Sequence, residues 1–305
     1  MTTTPRSFQK TCLDRWLYGP QPIERLVLWR VGVPLAVLGF MSSRLVHADH
    51  WVGDAGFCLP DLGGDWRQPL YLPPLSSTGA WLLAALLVAA GLATLLGFGT
   101  SWAAATFAAT LAYVALADRL ESFTVTKLSP VLALTLCFSA AGTRHGIDAW
   151  QRRRHLPGEP VPTHAPGGPV RFVQVLLPTF YCASGICKAK GDWLERSDVL
   201  WTHLHDSYQT LLSRWLANHL PSGSWALMQA TTLAFELGAP LWFSVRRTRG
   251  PALAYGVAMH LLIGTMFGPV IWFSLLMITL LSGAYLPATW LQRGFSLLRP
   301  RPRAT

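Results

Sequence analysis

Ala80–Phe98, AWLLAALLVAAGLATLLGF, runs for nineteen residues without a charge. A helix rises 1.5 Å per residue, so about 20 apolar residues cross a hydrocarbon layer roughly 30 Å thick. Gly97-Phe98-Gly99 then reads as a tight turn, and a second apolar run follows at 100–118. Two such runs back to back describe a membrane hairpin. Working outward, further spans fall at 26–46, 124–142, 171–188, 223–244, 251–267 and 268–286, the last two divided at Gly268-Pro269. The expected fold is an all-α polytopic membrane helix bundle of about eight transmembrane helices.

Composition agrees. Of 305 residues, 51% are hydrophobic and 13% charged, where a soluble domain carries roughly a quarter charged. Trp and Phe, fourteen of each, suit the boundary between bilayer and water. The net charge of +10 comes from short Arg clusters between apolar runs rather than from one basic face, which argues against nucleic acid. Five cysteines form no CxxC pair, and no metal is indicated. No cleavable signal is evident, so the first run reads as a retained span.

Orientation follows the Lys and Arg of the short loops. Arg6, Lys10 and Arg15 precede the first span, and Arg144, Arg152, Arg153 and Arg154 occupy the 143–170 loop, a Pro/Gly-rich connector. Arg246, Arg247 and Arg249 follow the sixth span; Arg293, Arg299, Arg301 and Arg303 fill the tail. Eight spans put all four clusters on one side. Both termini are then cytoplasmic, in a cell membrane expected to be a bacterial inner membrane. Residues 1–25 form a cytoplasmic N-terminal segment, 26–286 a single transmembrane domain and 287–305 a basic cytoplasmic tail. The loop with Asp49, Asp54, Asp61 and Asp65 faces outside, as does 189–222. There Trp201, Leu204, Tyr208, Leu211, Leu212, Trp215 and Leu216 recur at helical spacing opposite Asp206, Gln209, Thr210 and Ser213. That pattern predicts an amphipathic helix on the outer membrane surface, a cap on the bundle or a substrate platform.

Polar residues inside spans are the candidate site. Gln174, Tyr181, Ser184, Gly185 and Lys188 lie near one face of the fifth span. Lys188 stands at its outer end, its ammonium either among headgroups or turned inward as a base. Glu236, about 20 Å into the sixth span from outside, and His260, about 14 Å into the seventh from inside, reach similar depths. A buried carboxylate needs a partner, and His260 or Arg30 is the expected one. Counted this way Lys188 lies well above both, so no triad is expected.

The run Tyr181-Cys-Ala-Ser-Gly185-Ile-Cys-Lys188-Ala-Lys-Gly-Asp192-Trp193 resembles the segment around the catalytic lysine of vitamin K-dependent gamma-glutamyl carboxylases. It resembles equally the bacterial proteins with a horizontally transferred transmembrane domain. Ala234-Phe-Glu236 leading to Arg249, His260 leading to Phe273-Ser274, and Arg30 in the first span agree, over about residues 20–290. The resemblance implies a quinol-using, epoxidase- or carboxylase-like enzyme with its site on the outer side and Lys188 as catalytic base. Such a base should sit desolvated and partly neutral, so that its removal spares the fold. Tyr181, Trp193, Glu236, His260 and Arg30 become substrate or helix-pairing candidates. Reduced vitamin K or menaquinol, with oxygen and carbon dioxide, would be the co-substrates; membrane lipid and an exported peptide or small molecule would be the partners. Val125 stands where the carboxylases have a further histidine, with Thr126 and Lys127 the nearest polar residues, and their large soluble region has no counterpart after the spans. Both departures count against glutamate carboxylation. Two other functions fit the residues. One is a binding or transport protein for a lipid or small hydrophobic molecule centred on Glu236 and His260, with Lys188 in water. The other is an accessory subunit of a membrane redox system.

Overall fold

The computed structural model describes residues 11–56, 70, 72–117, 123–205 and 209–297. Among them are fourteen α-helices: α1 (Cys12–Tyr18), α2 (Glu24–Leu45), α3 (Ala48–Trp51), α4 (Ser77–Leu96), α5 (Thr100–Ala117), α6 (Thr124–Cys137), α7 (Ile147–His155), α8 (Gly168–Lys190), α9 (Val199–Leu204), α10 (Leu211–His219), α11 (Ser222–Ser244), α12 (Arg246–Met266), α13 (Ile271–Tyr285) and α14 (Ala288–Leu297). Helices stand at all eight expected span positions. By length and hydropathy alone, five segments qualify as spans: α2, α4, α5, α8 and Gly268–Tyr285, which comprises a short 3-10 turn and α13. The other three are α6, which has 14 residues, α11, which carries Gln229 and Glu236, and α12, which opens on an Arg run. The chain is an all-α polytopic membrane bundle.

One apolar core joins the long helices. α2 lies at its centre against α4, α6 and α13; α8 packs on α11 and α13, and α12 on α13. The hairpin of α4 and α5 turns where expected, because Gly97 takes φ +69° at the α4 C-cap and Asp148 caps α5 through Gly99 N, Thr100 N and Thr100 Oγ1 at 2.7–2.8 Å. A left-handed cap of this kind suits glycine.

The segments rich in Arg gather at one end of the bundle. Two short strands, β1 (Gln21–Pro22) and β2 (His164–Ala165), pair antiparallel and clip the chain before α2 to the chain before α8. Arg171 of α8 donates to Trp16 O of α1 at 3.0 Å, and the His145 ring lies 5.3 Å from that of Phe295 in α14, tilted by 32°. Phe243, just before α12, stacks on Tyr285 at 4.3 Å. This is the clip end. The 143–170 loop is therefore more than a flexible connector: it holds α7 and β2. Arg6, Lys10, Arg299, Arg301 and Arg303 lie outside the described residues, as do Asp61 and Asp65.

At the opposite end, the expected single amphipathic helix of 189–222 forms two. α9 stops at Leu204, and Thr210 restarts the chain as N-cap of α10 in a capping box with Ser213. Gln209 forms a backbone bridge with Phe267 instead of continuing a helix. Asp206 and Tyr208 lie outside the described residues. Leu211, Leu212 and Trp215 of α10 are exposed.

Candidate functional site

α8 and α11 meet at Gly185. A Cβ there would come within 2.9 Å of Leu237 N and 3.1 Å of Glu236 Cβ, so the absence of a side chain sets how closely the two helices approach. One turn further along α8, Lys188 Nζ donates to Glu236 Oε1 at 2.5 Å. The Lys188 side chain is 27% exposed and that of Glu236 7%. The Trp193 ring lies 4.8 Å from the same ammonium, within cation–π range.

Tyr181, two turns below Lys188 on α8, hydrogen-bonds through its hydroxyl to His260 Nε2 at 2.7 Å. Aromatic neighbours hold this second pair in place. Phe235 meets Tyr181 edge-on at 5.2 Å, and Phe273 meets His260 edge-on at 5.4 Å. Both pairs face a cavity of about 630 Å³, whose walls also include Ser184, Phe123, Thr124, His203 and Phe273. Glu236 Oε2, His260 Nδ1 and Ser274 Oγ are buried with no hydrogen-bond partner among the described residues. Buried polar atoms normally find partners, and two of these three belong to cavity-lining residues.

Five of the six residues singled out in the sequence thus line one space: Lys188, Tyr181, Trp193, Glu236 and His260. Two expectations are corrected. Glu236 pairs with Lys188, not with His260 or Arg30, and Lys188 stands only about one helical turn beyond it rather than well above it. Residue counting placed every span start at one level, whereas α11 begins well beyond the end of α8: Gln229 Nε2 reaches Trp193 O and Arg196 O past that end. Side chains also lean toward the N-terminus of their own helix. The two helices run in opposite directions, so Lys188 and Glu236 lean toward each other.

Arg30 lies at the clip end. Its guanidinium donates to Ala141 O at 3.1 Å, Arg144 O at 3.2 Å and His145 O, beside Gly97 and Gly146. It ties α2 to the loop after α6. Gln174 is also structural, donating to Ala284 O at 2.6 Å. Val125 is fully buried and Lys127 exposed.

Sequence reasoning passed over the methionines of the cavity wall, Met228, Met259, Met266 and Met277. The signal was present: of six Met in the chain, these four fall in the last three spans. Flexible thioethers suit the wall of a binding space. His203, on α9, was passed over because it lay in the surface segment.

Fold and cavity together define a polytopic membrane protein with an apolar chamber between helices, into which an ion pair and a Tyr–His pair are turned. The chain belongs to the HTTM domain family, whose model matches residues 19–290; this is the family related to vitamin K-dependent carboxylase. No curated protein and no solved structure matches it.

Proposed function

We propose that the protein is a quinol-using membrane enzyme that oxygenates a reduced naphthoquinone in this cavity. The observation that carries the reading is Lys188 turned inward, beside Glu236 and above Tyr181–His260, on an apolar chamber of about 630 Å³. Such a chamber is of the size that encloses a ring-sized ligand. A reduced quinone supplies the electrons for oxygen: one oxygen atom enters the epoxide and the other leaves as water.

The residues supply base and positioning. Passing the shared proton from the Lys188 ammonium to the Glu236 carboxylate leaves a neutral amine and a neutral acid. A base forms in this way without net charge appearing in an apolar space. The amine then takes the proton of a quinol hydroxyl. Tyr181 and His260 offer a second hydrogen-bonding station within the same walls. The expectation that Lys188 could be removed without cost to the fold is revised, because its loss strands Glu236. With Val125 at the position of the carboxylase histidine, the reading is confined to quinol oxygenation. The loop charges add the orientation: the cavity end faces outside and both termini are cytoplasmic, in the cell membrane. A cysteine placed at Arg153 should resist impermeant reagent in intact cells; its labelling would overturn this orientation.

The test is conversion of reduced vitamin K or menaquinol to epoxide in membranes. Lys188→Met and Glu236→Gln should abolish it, whereas Lys190→Met, at an exposed position, should not. The double variant Lys188→Met/Glu236→Leu, which strands no charge, should fold and remain inactive. Equal epoxide from wild type and Lys188→Met would end the base assignment.

A further inference from the structure

Three arginines from three different helices gather around the C-terminal end of α13. Arg25 of α2 donates to Gly283 O at 2.5 Å and to Leu286 O at 2.8 Å. Arg171 of α8 donates to Gln174 Oε1 at 2.7 Å, and Gln174 in turn donates to Ala284 O at 2.6 Å. Arg249 of α12 donates to Phe243 O at 3.0 Å, and the Phe243 ring stacks on Tyr285. Arg171 stands within electrostatic reach of both Arg25 and Arg249.

Nothing acidic balances them. None of the three forms an ion pair with a described carboxylate, and the described carboxylates of the clip end are engaged elsewhere. Asp14 bonds Thr11, Glu24 pairs with Arg144, Asp148 caps α5 and Glu159 pairs with Arg152. A helix C-terminus carries about half a negative charge, well short of three guanidiniums. Donors are left over as well. Arg25 is 8% exposed, and its Nε is enclosed with no partner among the described residues. An arginine that snorkels to water does the reverse. Arg171 Nη2 and Arg249 Nη1 bond to no described residue, and both arginines are half-buried.

We propose that Arg25, Arg171 and Arg249 together bind a phosphate group at the clip end. A tetrahedral phosphate offers several acceptor oxygens, and guanidinium is the side chain best matched to them. Its negative charge relieves the repulsion among the three arginines, and its oxygens occupy the donors they leave unused. All three arginines stand near the start of a helix at the clip end, at the depth of lipid headgroups. The phosphate is therefore that of an anionic phospholipid or of a small soluble molecule. The site lies at the opposite end of the bundle from Lys188 and is independent of the quinol reading.

The test is thermal melting of the full chain, delipidated in maltoside detergent, which contains no phosphate. Phosphatidylglycerol is one probe; inorganic phosphate, exchanged for chloride at equal ionic strength, is the other. A rise of several degrees is expected of a ligand well above its dissociation constant. A rise with phosphatidylglycerol alone assigns the site to a lipid headgroup, and a rise with inorganic phosphate opens it to soluble phosphate. Arg171→Gln/Arg249→Gln should lose most of the rise, whereas Arg246→Gln/Arg247→Gln, at exposed positions, should keep it. Arg249→Gln alone is the milder variant should the double change prevent folding. The proposal is overturned by no rise with either probe, by an equal rise in wild type and Arg171→Gln/Arg249→Gln, or by an equal loss in the Arg246→Gln/Arg247→Gln control.

Discussion

Two buried ion pairs of nearly identical length stand at opposite ends of this bundle. At the clip end Arg144 Nη1 donates to Glu24 Oε1 at 2.6 Å, the side chains 10% and 2% exposed. At the other end Lys188 and Glu236 pair at 2.5 Å, with 27% and 7%. The first is closed in by packing. Arg144 O accepts from Arg30, and the adjacent Arg25 donates to Gly283 O at 2.5 Å and Leu286 O at 2.8 Å at the C-terminus of α13. The second opens on the chamber of about 630 Å³. A charge pair inside a membrane bundle is therefore not a site by itself. Both pairs leave a carboxylate oxygen without a partner among the described residues, Glu24 Oε2 and Glu236 Oε2, so the space beside the pair is what distinguishes the two.

The sharpest way to break this contrast is to remove one partner at a time. Glu24→Leu leaves a guanidinium buried without its carboxylate and should cost about 3–5 kcal/mol, read as lost folded yield and a lower melting temperature in detergent. Arg144→Met should cost about the same. At the cavity the two losses should differ. Lys188→Met strands a nearly buried carboxylate at about 3 kcal/mol, whereas Glu236→Leu leaves an ammonium that can swing toward solvent, at about 1 kcal/mol. The double variant should recover most of the larger loss. Equal costs for the two single changes would mean that the cavity pair is as closed as the clip pair.

Gly185→Val tests the helix contact that brings the cavity pair together. Its Cβ meets backbone at 2.9 Å, so α8 and α11 must part, at about 1–3 kcal/mol, and epoxide formation should fall in step. Thr210→Ala is the smallest change. It removes the cap that restarts α10 and should cost about 1 kcal/mol; a smaller value would mean that α10 is held by the membrane surface and not by its cap.

Much of this was legible in the sequence, and the limits have physical causes. Span positions were readable because a charge-free run of nineteen residues, such as 80–98, has few other uses. The clustering of Lys188, Tyr181 and Trp193 followed from helical spacing and from the resemblance. The Lys188–Glu236 pair did not, because depth counted from span ends assumes helices that start level. Arg30 looked like a partner for Glu236 only because both are charges inside spans; its actual partners are backbone carbonyls, which carry no side-chain signature. The break between α9 and α10 was hidden because apolar spacing continues across it, while the Thr210–Ser213 cap reads equally well as the polar face of one helix.

The two-residue clip of β1 and β2 has a mechanical consequence. α2 begins two residues after one strand and α8 three residues after the other, so both helices are pinned at the same spot, far from Lys188. α8 has 23 residues, which makes a lever roughly 34 Å long. A tilt of about 5° at the pinned end moves the Lys188 end by about 3 Å, on the scale of the side-chain contacts that close the chamber. A tilt of that size would leave the clip intact but would have to part the Gly185 contact with α11 and the bonds of Tyr181 and Lys188.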